Sequence, residues 1–462
     1  MAPQNASPDG SGDSGEPRLR RAVGLPLLML YGLGSMLGAG IYGLVGVAAQ
    51  ELGSAIWVAF LVSMVAALLT GMSYATVASR YPRAGGAAYV TQRAYRSPML
   101  AYLVGLAVAC SGLTSIATQA NVVARNLQAG FGWEGVPVAL LATGFLLVLT
   151  GILLRGIRES MWANAACTVV EASGLLLIIA VGLPYWGQAN LLEWPEAAPG
   201  AETTGTTLLV LQGAVLTFFS FIGFEDTLNV AEEVREPERT MPMALIGAML
   251  IATGIYMAVC ITAVSVVPWR ELADSAAPLA EVMKRAAPWF PPIGFIAITI
   301  FAVANTALVN YVMASRLLYG MARQGLLPAV LGRVHRKRHT PYMAIAALFV
   351  IVLLLAMVGD ITALASSTVL LLLFVFTIVN GALIILKRRP DEPRGRFEVP
   401  VVVPALGALV CLSLIVVRVT TGGLAATLLS GGLLVAILLL YAVTSRSRGK
   451  EMEDFVSGDA LS

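Results

Sequence analysis

Charge is scarce in this 462-residue chain: Asp, Glu, Lys and Arg together make up 12% of it, against about 25% in an average soluble domain. That scarcity excludes a soluble enzyme, a disordered protein and a nucleic-acid binder. Histidine is nearly absent. His335 and His339 are the only two, and both fall in a polar loop, which excludes a histidine-rich metal site. The four cysteines, Cys110, Cys167, Cys260 and Cys411, lie far apart inside apolar runs. They read as small core residues rather than disulfides or metal ligands. No metal or cofactor is expected.

Apolar residues are abundant instead, at 58%, with a mean hydropathy of +0.81. Twelve apolar stretches can be marked, at about 23–49, 54–79, 98–124, 135–154, 162–186, 206–231, 241–268, 291–315, 342–359, 361–386, 401–419 and 423–444. A crossing of the hydrocarbon core takes about 20 apolar residues, so the chain is expected to be an all-α membrane protein of about twelve transmembrane helices. No soluble module fits between them. Residues 1–17 are polar and low in complexity, and residues 1–22 are expected to be a disordered tail. Residues 445–462 form a second tail. The first apolar run is too long for a signal-peptide core and reads as a retained helix.

Lysine and arginine set the orientation. With the amino terminus in the cytoplasm, 25 of the 30 basic residues fall in inside segments. The five left outside are Arg125, Arg270, Lys284, Arg285 and Arg418. The split predicts both termini in the cytoplasm, and one miscounted span would scramble it.

Two spans carry anomalies. The first contains L-Y-G-L-G-S-M-L-G-A-G-I-Y-G, with Gly32, Gly34, Gly38, Gly40 and Gly43 close together. Glycine costs about 1 kcal/mol in a helix relative to alanine, so the cluster predicts an unwound stretch around Ser35–Gly40. The competing expectation is close helix packing through Gly34-x-x-x-Gly38. The sixth span, F-F-S-F-I-G-F-E-D-T-L-N-V-A-E-E-V, places Ser220 and Gly223 mid-span, followed by Glu225 and Asp226. Two carboxyls at that depth cost a few kcal/mol each. They become tolerable at the amino end of a half-helix starting near Gly223, where free N–H groups and the helix dipole favour negative charge.

The anomalies open the two halves of a five-plus-five arrangement. Five is odd, so the halves have opposite topology in the membrane, and paired interrupted helices at matching positions point to a transporter site. A broken helix exposes N–H groups at one edge and C=O groups at the other. Together these suit the carboxylate and ammonium of an α-amino acid without charged side chains. Among other polar residues, Thr118, Gln119 and Asn121 in the third span either face the pathway or, as the favoured reading, make helix–helix contacts. Asn305 and Thr306 in the eighth either pack or border an ion site.

These segments resemble the amino acid–polyamine–organocation permease superfamily, in particular its bacterial amino acid permeases and cationic amino acid transporters. The resemblance rests on G-S-M-L-G-A-G-I-Y (34–42), S-Y-A-T-V-A-S-R-Y-P-R-A-G-G-A-A-Y (73–89), R-G-I-R-E-S (155–160), F-I-G-F-E-D with A-E-E-V-R-E-P-E-R-T-M-P (221–242), and A-S-R-L-L-Y-G-M-A-R-Q-G-L-L-P (314–328). It implies a leucine-transporter-like fold: an inverted repeat of helices 1–5 (23–186) and 6–10 (206–386), with two extra carboxy-terminal helices (401–444). Helices 1, 2, 6 and 7 would be a moving bundle, helices 3, 4, 8 and 9 a scaffold, and helices 5 and 10 flexible arms. Substrate contacts would come from Ser35, Met36, Gly38, Ala39 and Gly40, and from Phe219, Ser220, Phe221 and Gly223, with Phe224 as a gate.

One departure matters. Many proton-coupled relatives carry a lysine in helix 5, and the matching count from Gly156 reaches Glu171 here. A helix entering near Trp162 puts Glu171 about 14 Å deep, near the midplane, where a charged carboxyl is costly. Glu171 is therefore a candidate proton carrier, a partner for a cationic substrate, or a hydrogen-bonded scaffold residue. Glu225 and Asp226 are the other candidates for coupling. No nucleotide-binding loop of the G-x-x-x-x-G-K-[ST] type is present. The expected function is secondary active amino acid transport across a bacterial plasma membrane, driven by protons or, less favoured, sodium. A polyamine or cationic amino acid exchanger is the rival. The expected partners are the small-molecule substrate, the coupling ion and the lipid bilayer, with no nucleic acid.

Overall fold

The structure is a computed structural model that describes residues 23–81, 86–155, 161–195, 206–323, 327–335 and 340–445. Residues 1–22 and 446–462 of the two tails fall outside the described residues, as do 82–85, 156–160 and 324–326 from three of the family-like segments. Each of the twelve apolar stretches falls on helix. In chain order the helices are α1 (Leu25–Met36), α2 (Ala39–Leu52), α3 (Ile56–Arg80), α4 (Gly86–Tyr95), α5 (Pro98–Phe131), α6 (Val138–Arg155), α7 (Met161–Gly182) and α8 (Thr206–Thr217). After two 3₁₀ segments, Phe218–Phe221 and Phe224–Glu233, come α9 (Pro237–Val266), α10 (Trp269–Asp274), α11 (Pro278–Ala286) and α12 (Pro292–Arg323). The chain finishes with α13 (Tyr342–Val358), α14 (Ile361–Arg388), α15 (Val402–Thr421) and α16 (Leu424–Ser445). Among the described residues, nine helices are long and apolar enough to cross a membrane, and three more are shorter but apolar. The chain is an all-α, multi-pass membrane protein.

Side-chain burial divides the helices into those that build the site and those that meet lipid. α3 runs along α9, and α1 packs on α9, while α5 is flanked by α12 and α14. A separate apolar cluster joins α5, α6, α12 and α13 through residues such as Ile116, Leu146, Tyr311 and Leu348. Leu140 on α6, Val358 at the end of α13 and Val443 on α16 are instead exposed, as expected where the neighbour is hydrocarbon.

The first span breaks where the glycine cluster predicts, over only two residues, Leu37 and Gly38, both in extended backbone. The sixth breaks at Ile222–Gly223. Gly223 has φ +117°, a conformation that disfavours any side chain. The half-helix beyond it is 3₁₀ rather than α. At its far end Arg235 N–H donates to Val23 C=O at 2.9 Å, which ties the start of the first span to the end of the sixth.

The 389–400 segment, between α14 and α15, straps across the ends of α3 and α4. Glu398 accepts from Arg80 at 2.9 Å and also from Lys387. Glu392 accepts from Tyr81 and Arg93, both at 2.7 Å. Arg389 donates to the carbonyls of Arg93 and Ala94, and Phe397 N–H donates to Ser79 Oγ at 3.0 Å. These residues lie far apart in the sequence. The fold gathers them into one ion-paired clasp.

Candidate substrate site

The two breaks touch. A Cβ built on Gly40 would lie 2.5 Å from Ser220 Cα, and one on Gly223 would lie 2.5 Å from Ser35 O. Backbone therefore meets backbone at both points, which only glycine allows. The glycines of the first span do both things expected of them in different places: the span unwinds at Leu37 and Gly38, and close packing comes through Gly38 and through Gly40 at the start of α2. Gly38 is close-packed against a side chain instead, its Cβ position lying 2.8 Å from Thr306 Oγ1. Thr306 Oγ1 lies 3.4 Å from both Gly34 O and Leu37 O, carbonyls at the first break.

Between the breaks and the α5–α12 wall lies a small, partly open cavity of about 40 Å³. On the break side it is lined by Ser35, Met36, Gly38 and Gly40, then by Phe219, Ile222, Gly223, Glu225 and Asp226. Of the residues singled out in sequence, Ser220, Phe221 and Phe224 lie behind this lining. Ser220 is under Gly40, Phe221 packs edge-on against Tyr256, and Phe224 is wedged between Tyr74 and Phe376. The side chain of Ala39 is outside the described residues.

Glu225 and Asp226, both half-buried, take different roles. Glu225 Oε2 accepts the Gly223 N–H at 2.9 Å, the reach-back that satisfies an orphan donor at a helix start. Asp226 lines the cavity with no hydrogen-bond partner for its carboxyl among the described residues. The capping role expected of both carboxyls thus belongs to Glu225. No Lys, Arg or His lines the cavity.

The opposite wall was largely missed in sequence. Ser111, Ser115 and Gln119 on α5 line the cavity with Asn310 on α12. Their spacing of four puts them on one helix face, a signal that was available in the sequence of the third span. Gln119 Nε2 donates to Ser115 Oγ at 2.9 Å. Gln119 faces the cavity, the less favoured of its two readings. Asn121 does pack, donating to the carbonyls of Ala356 and Gly359. Ser35 Oγ, Ser220 Oγ and Gln119 Oε1 are buried without a partner. Such orphaned groups are uncommon and costly in a finished interior, but expected where a polar ligand completes them.

Glu171 lies outside this lining. It is fully buried on α7, with Asn305 Nδ2 donating to Oε1 at 3.2 Å and Oε2 unpartnered. Tyr42 on α2 donates to its main-chain carbonyl at 2.7 Å. Adjacent residues of α12 therefore diverge, Asn305 toward Glu171 and Thr306 toward the first break. Among the described residues no cluster of His, Cys, Asp and Glu could hold a metal ion.

A buried polar cavity between two interrupted membrane helices defines a membrane permease. Residues 27–443 match the model of the amino acid permease family, and the chain belongs to that family, within the amino acid–polyamine–organocation superfamily. It is 30% identical to the branched-chain amino acid permease of Bacillus subtilis, over 87% of this chain and 89% of that protein. It is also 30% identical to the chloroplastic cationic amino acid transporter 9 of Arabidopsis thaliana, over 72% of this chain. The mouse cationic amino acid transporter 4 shows the same identity over 82% of this chain. The matched regions span only 60% and 61% of the lengths of those two cationic relatives.

Proposed function

We propose that the chain is a secondary active permease that carries amino acids across the plasma membrane by alternating access. The observation that carries this is the meeting of two interrupted helices through Gly40–Ser220 and Gly223–Ser35, beside a cavity whose buried polar atoms lack partners. The start of α2 leaves N–H groups free for a carboxylate, and the end of α1 leaves carbonyls free for an ammonium. The apolar cluster of α5, α6, α12 and α13 supports a scaffold against which the helices bearing the breaks rock. The family's five-plus-five inverted repeat is the layout of this proposal.

Glu171 is the proposed proton carrier. Its carboxyl has one amide donor and no cation beside it, so it is held ready to exchange a proton rather than locked in an ion pair. Coupling is therefore proton symport, with both termini in the cytoplasm. A specific observation favours a second reading, exchange of cationic amino acids or polyamines: Asp226 offers the cavity an unpartnered carboxyl with no cation among the lining residues. The names of the similar proteins include both branched-chain and cationic substrates.

Uptake of a labelled amino acid panel into proteoliposomes, with and without an inward pH gradient, tests both. Gradient-driven accumulation of neutral amino acids supports the symporter. Gradient-independent uptake that needs an internal cationic amino acid or polyamine supports the exchanger. No uptake of any amino acid or polyamine under either condition rejects both.

A further inference from the structure

The breaks free two main-chain carbonyls, one on each interrupted helix. Met36 C=O ends α1, and the residue that would pay it back in a continuous helix, Gly40, makes no such bond. Ser220 C=O lies in the last turn of the first 3₁₀ segment, and its natural i+3 donor, the Gly223 N–H, is taken by Glu225 Oε2. Both carbonyls converge on a single hydroxyl. Tyr256 Oη lies 2.8 Å from Met36 O and 2.8 Å from Ser220 O. It carries one hydrogen, so the two acceptors share it. Tyr256 stands on α9 and is fully buried. Its ring is fixed independently of the hydroxyl, edge-on to Phe221 at 5.4 Å and tilted on Phe60 at 5.7 Å.

We infer that Tyr256 is the positioning residue of the site. Its one hydroxyl ties the first break to the sixth, so that the two cavity edges keep their separation and move as one unit with α9. Several observations converge on it. The two breaks are short, and their glycine contacts exclude lateral slippage only in one direction, by steric collision. An attractive link is needed to stop them drifting apart, and among the described residues Tyr256 is the hydroxyl that reaches both freed carbonyls. Tyr256 itself does not line the cavity, so it acts on the substrate through Met36 and the Ser220–Gly223 turn. The inference rests on the permease reading for its consequence in transport, though not for the tie itself.

Tyr256→Phe tests it, since the ring packing stays and only the hydroxyl goes. Two measurements are made on the full chain in lipid nanodiscs or proteoliposomes. Hydrogen exchange is expected to rise about tenfold, the loss of one hydrogen bond to buried acceptors, in segments 36–42 and 220–226 together, with the α5–α12 wall unchanged. For the amino acid that the wild type transports best, KM is expected to rise about tenfold with Vmax within about twofold and an unchanged melting temperature. Wild-type exchange in either segment overturns the tie. A wild-type KM, or a KM change that merely follows a loss of melting temperature, overturns the positioning role. Tyr256→Leu, which removes the ring as well, should lower the melting temperature and marks what a merely structural defect looks like. If the wild-type protein transports no amino acid, the permease proposal fails, while the exchange measurement still decides whether Tyr256 couples the breaks.

Discussion

The cavity beside the breaks and the clasp formed by the 389–400 segment are both built from polar groups, and they treat those groups in opposite ways. In the clasp, Glu392 and Glu398 each meet two cationic or hydroxyl donors, and Arg389 spends its guanidinium on two carbonyls. In and just behind the cavity, Ser35, Ser220 and Gln119 keep buried atoms unpaired, Asp226 has no cation among the described lining residues, and two carbonyls share one hydrogen. A buried polar atom left unpaired costs about 1–3 kcal/mol, whereas an exposed ion pair is worth about 0–1 kcal/mol. The region that stores the cost is therefore the one built to receive something, and the region that satisfies itself is built to hold helices in place. Cysteines introduced into the 187–205 and 387–397 loops check the sides: an impermeant thiol reagent outside should label the first and spare the second.

The largest effect is expected from closing the contact on which the cavity depends. Gly40→Val should abolish uptake. Gly40→Ala should also impair it severely, since its Cβ alone would meet Ser220 Cα at 2.5 Å. Overpacking of this kind costs about 1–3 kcal/mol, and uptake normalised to the amount of inserted protein reads it. Alanine at Gly144 on α6, whose Cβ position has nothing within 4 Å and which does not line the cavity, is the control and should be tolerated. Equal activity of both alanine variants would remove the steric basis of the site.

Next comes Glu171→Gln, which keeps the shape and the hydrogen-bonding capacity toward Asn305 but fixes a neutral group. It should lose accumulation driven by a pH gradient yet keep substrate binding and some counterflow exchange. Exchange needs only the loaded carrier to reorient, whereas net accumulation needs the proton released. Wild-type accumulation in this variant would move the coupling site to Asp226, to Glu225 or to a sodium ion.

The carboxyl pair gives a smaller and sharper contrast. Glu225→Ala removes the acceptor of the Gly223 N–H and should lower stability by about 1 kcal/mol, the usual worth of a helix-start acceptor. Asp226→Asn removes no partner and should leave stability near wild type. If the cationic reading is right, it should raise the KM for a cationic amino acid about tenfold or more, while a neutral one is unaffected. Thermal unfolding and competition uptake separate the two residues.

The smallest effects belong to the clasp. Partial burial raises the Glu392 and Glu398 carboxyls, but hydrogen bonds outweigh it. Tyr81 and Arg93 hold Glu392 below its ordinary value, and Arg80 and Lys387 do the same for Glu398. The folded state therefore binds these protons less readily than the unfolded one. The stabilisation is complete above the ordinary carboxylate range, about pH 4.3, and is lost as pH falls through the lower folded values. The Glu392 side chain is only 10% exposed and that of Glu398 26%, and Glu392→Gln, which keeps an acceptor for Tyr81 and Arg93, should cost about 1 kcal/mol. Exchange of the 389–400 segment should quicken below about pH 4, and Glu392→Gln should quicken it already at neutral pH, with the cavity residues unaffected.

Composition and periodicity in the sequence determined the membrane class, the positions of the helices and the two interruptions, because the bilayer demands long apolar runs and glycine clusters weaken them. The acidic pair was legible for the same reason, since carboxyls at membrane depth are rare. What the sequence left open was decided by packing across distant parts of the chain. That Gly40 faces Ser220 and Gly223 faces Ser35 depends on residues about 180 apart meeting, which local pattern does not encode. Which carboxyl caps and which stays bare depended on the backbone turn at Gly223. Gln119 and Asn121 look alike in sequence, yet they sit two residues apart on α5 and face different neighbours. Tyr256 was silent, one tyrosine in an apolar run, because its role comes from two carbonyls that become donorless only once both helices have broken and come together.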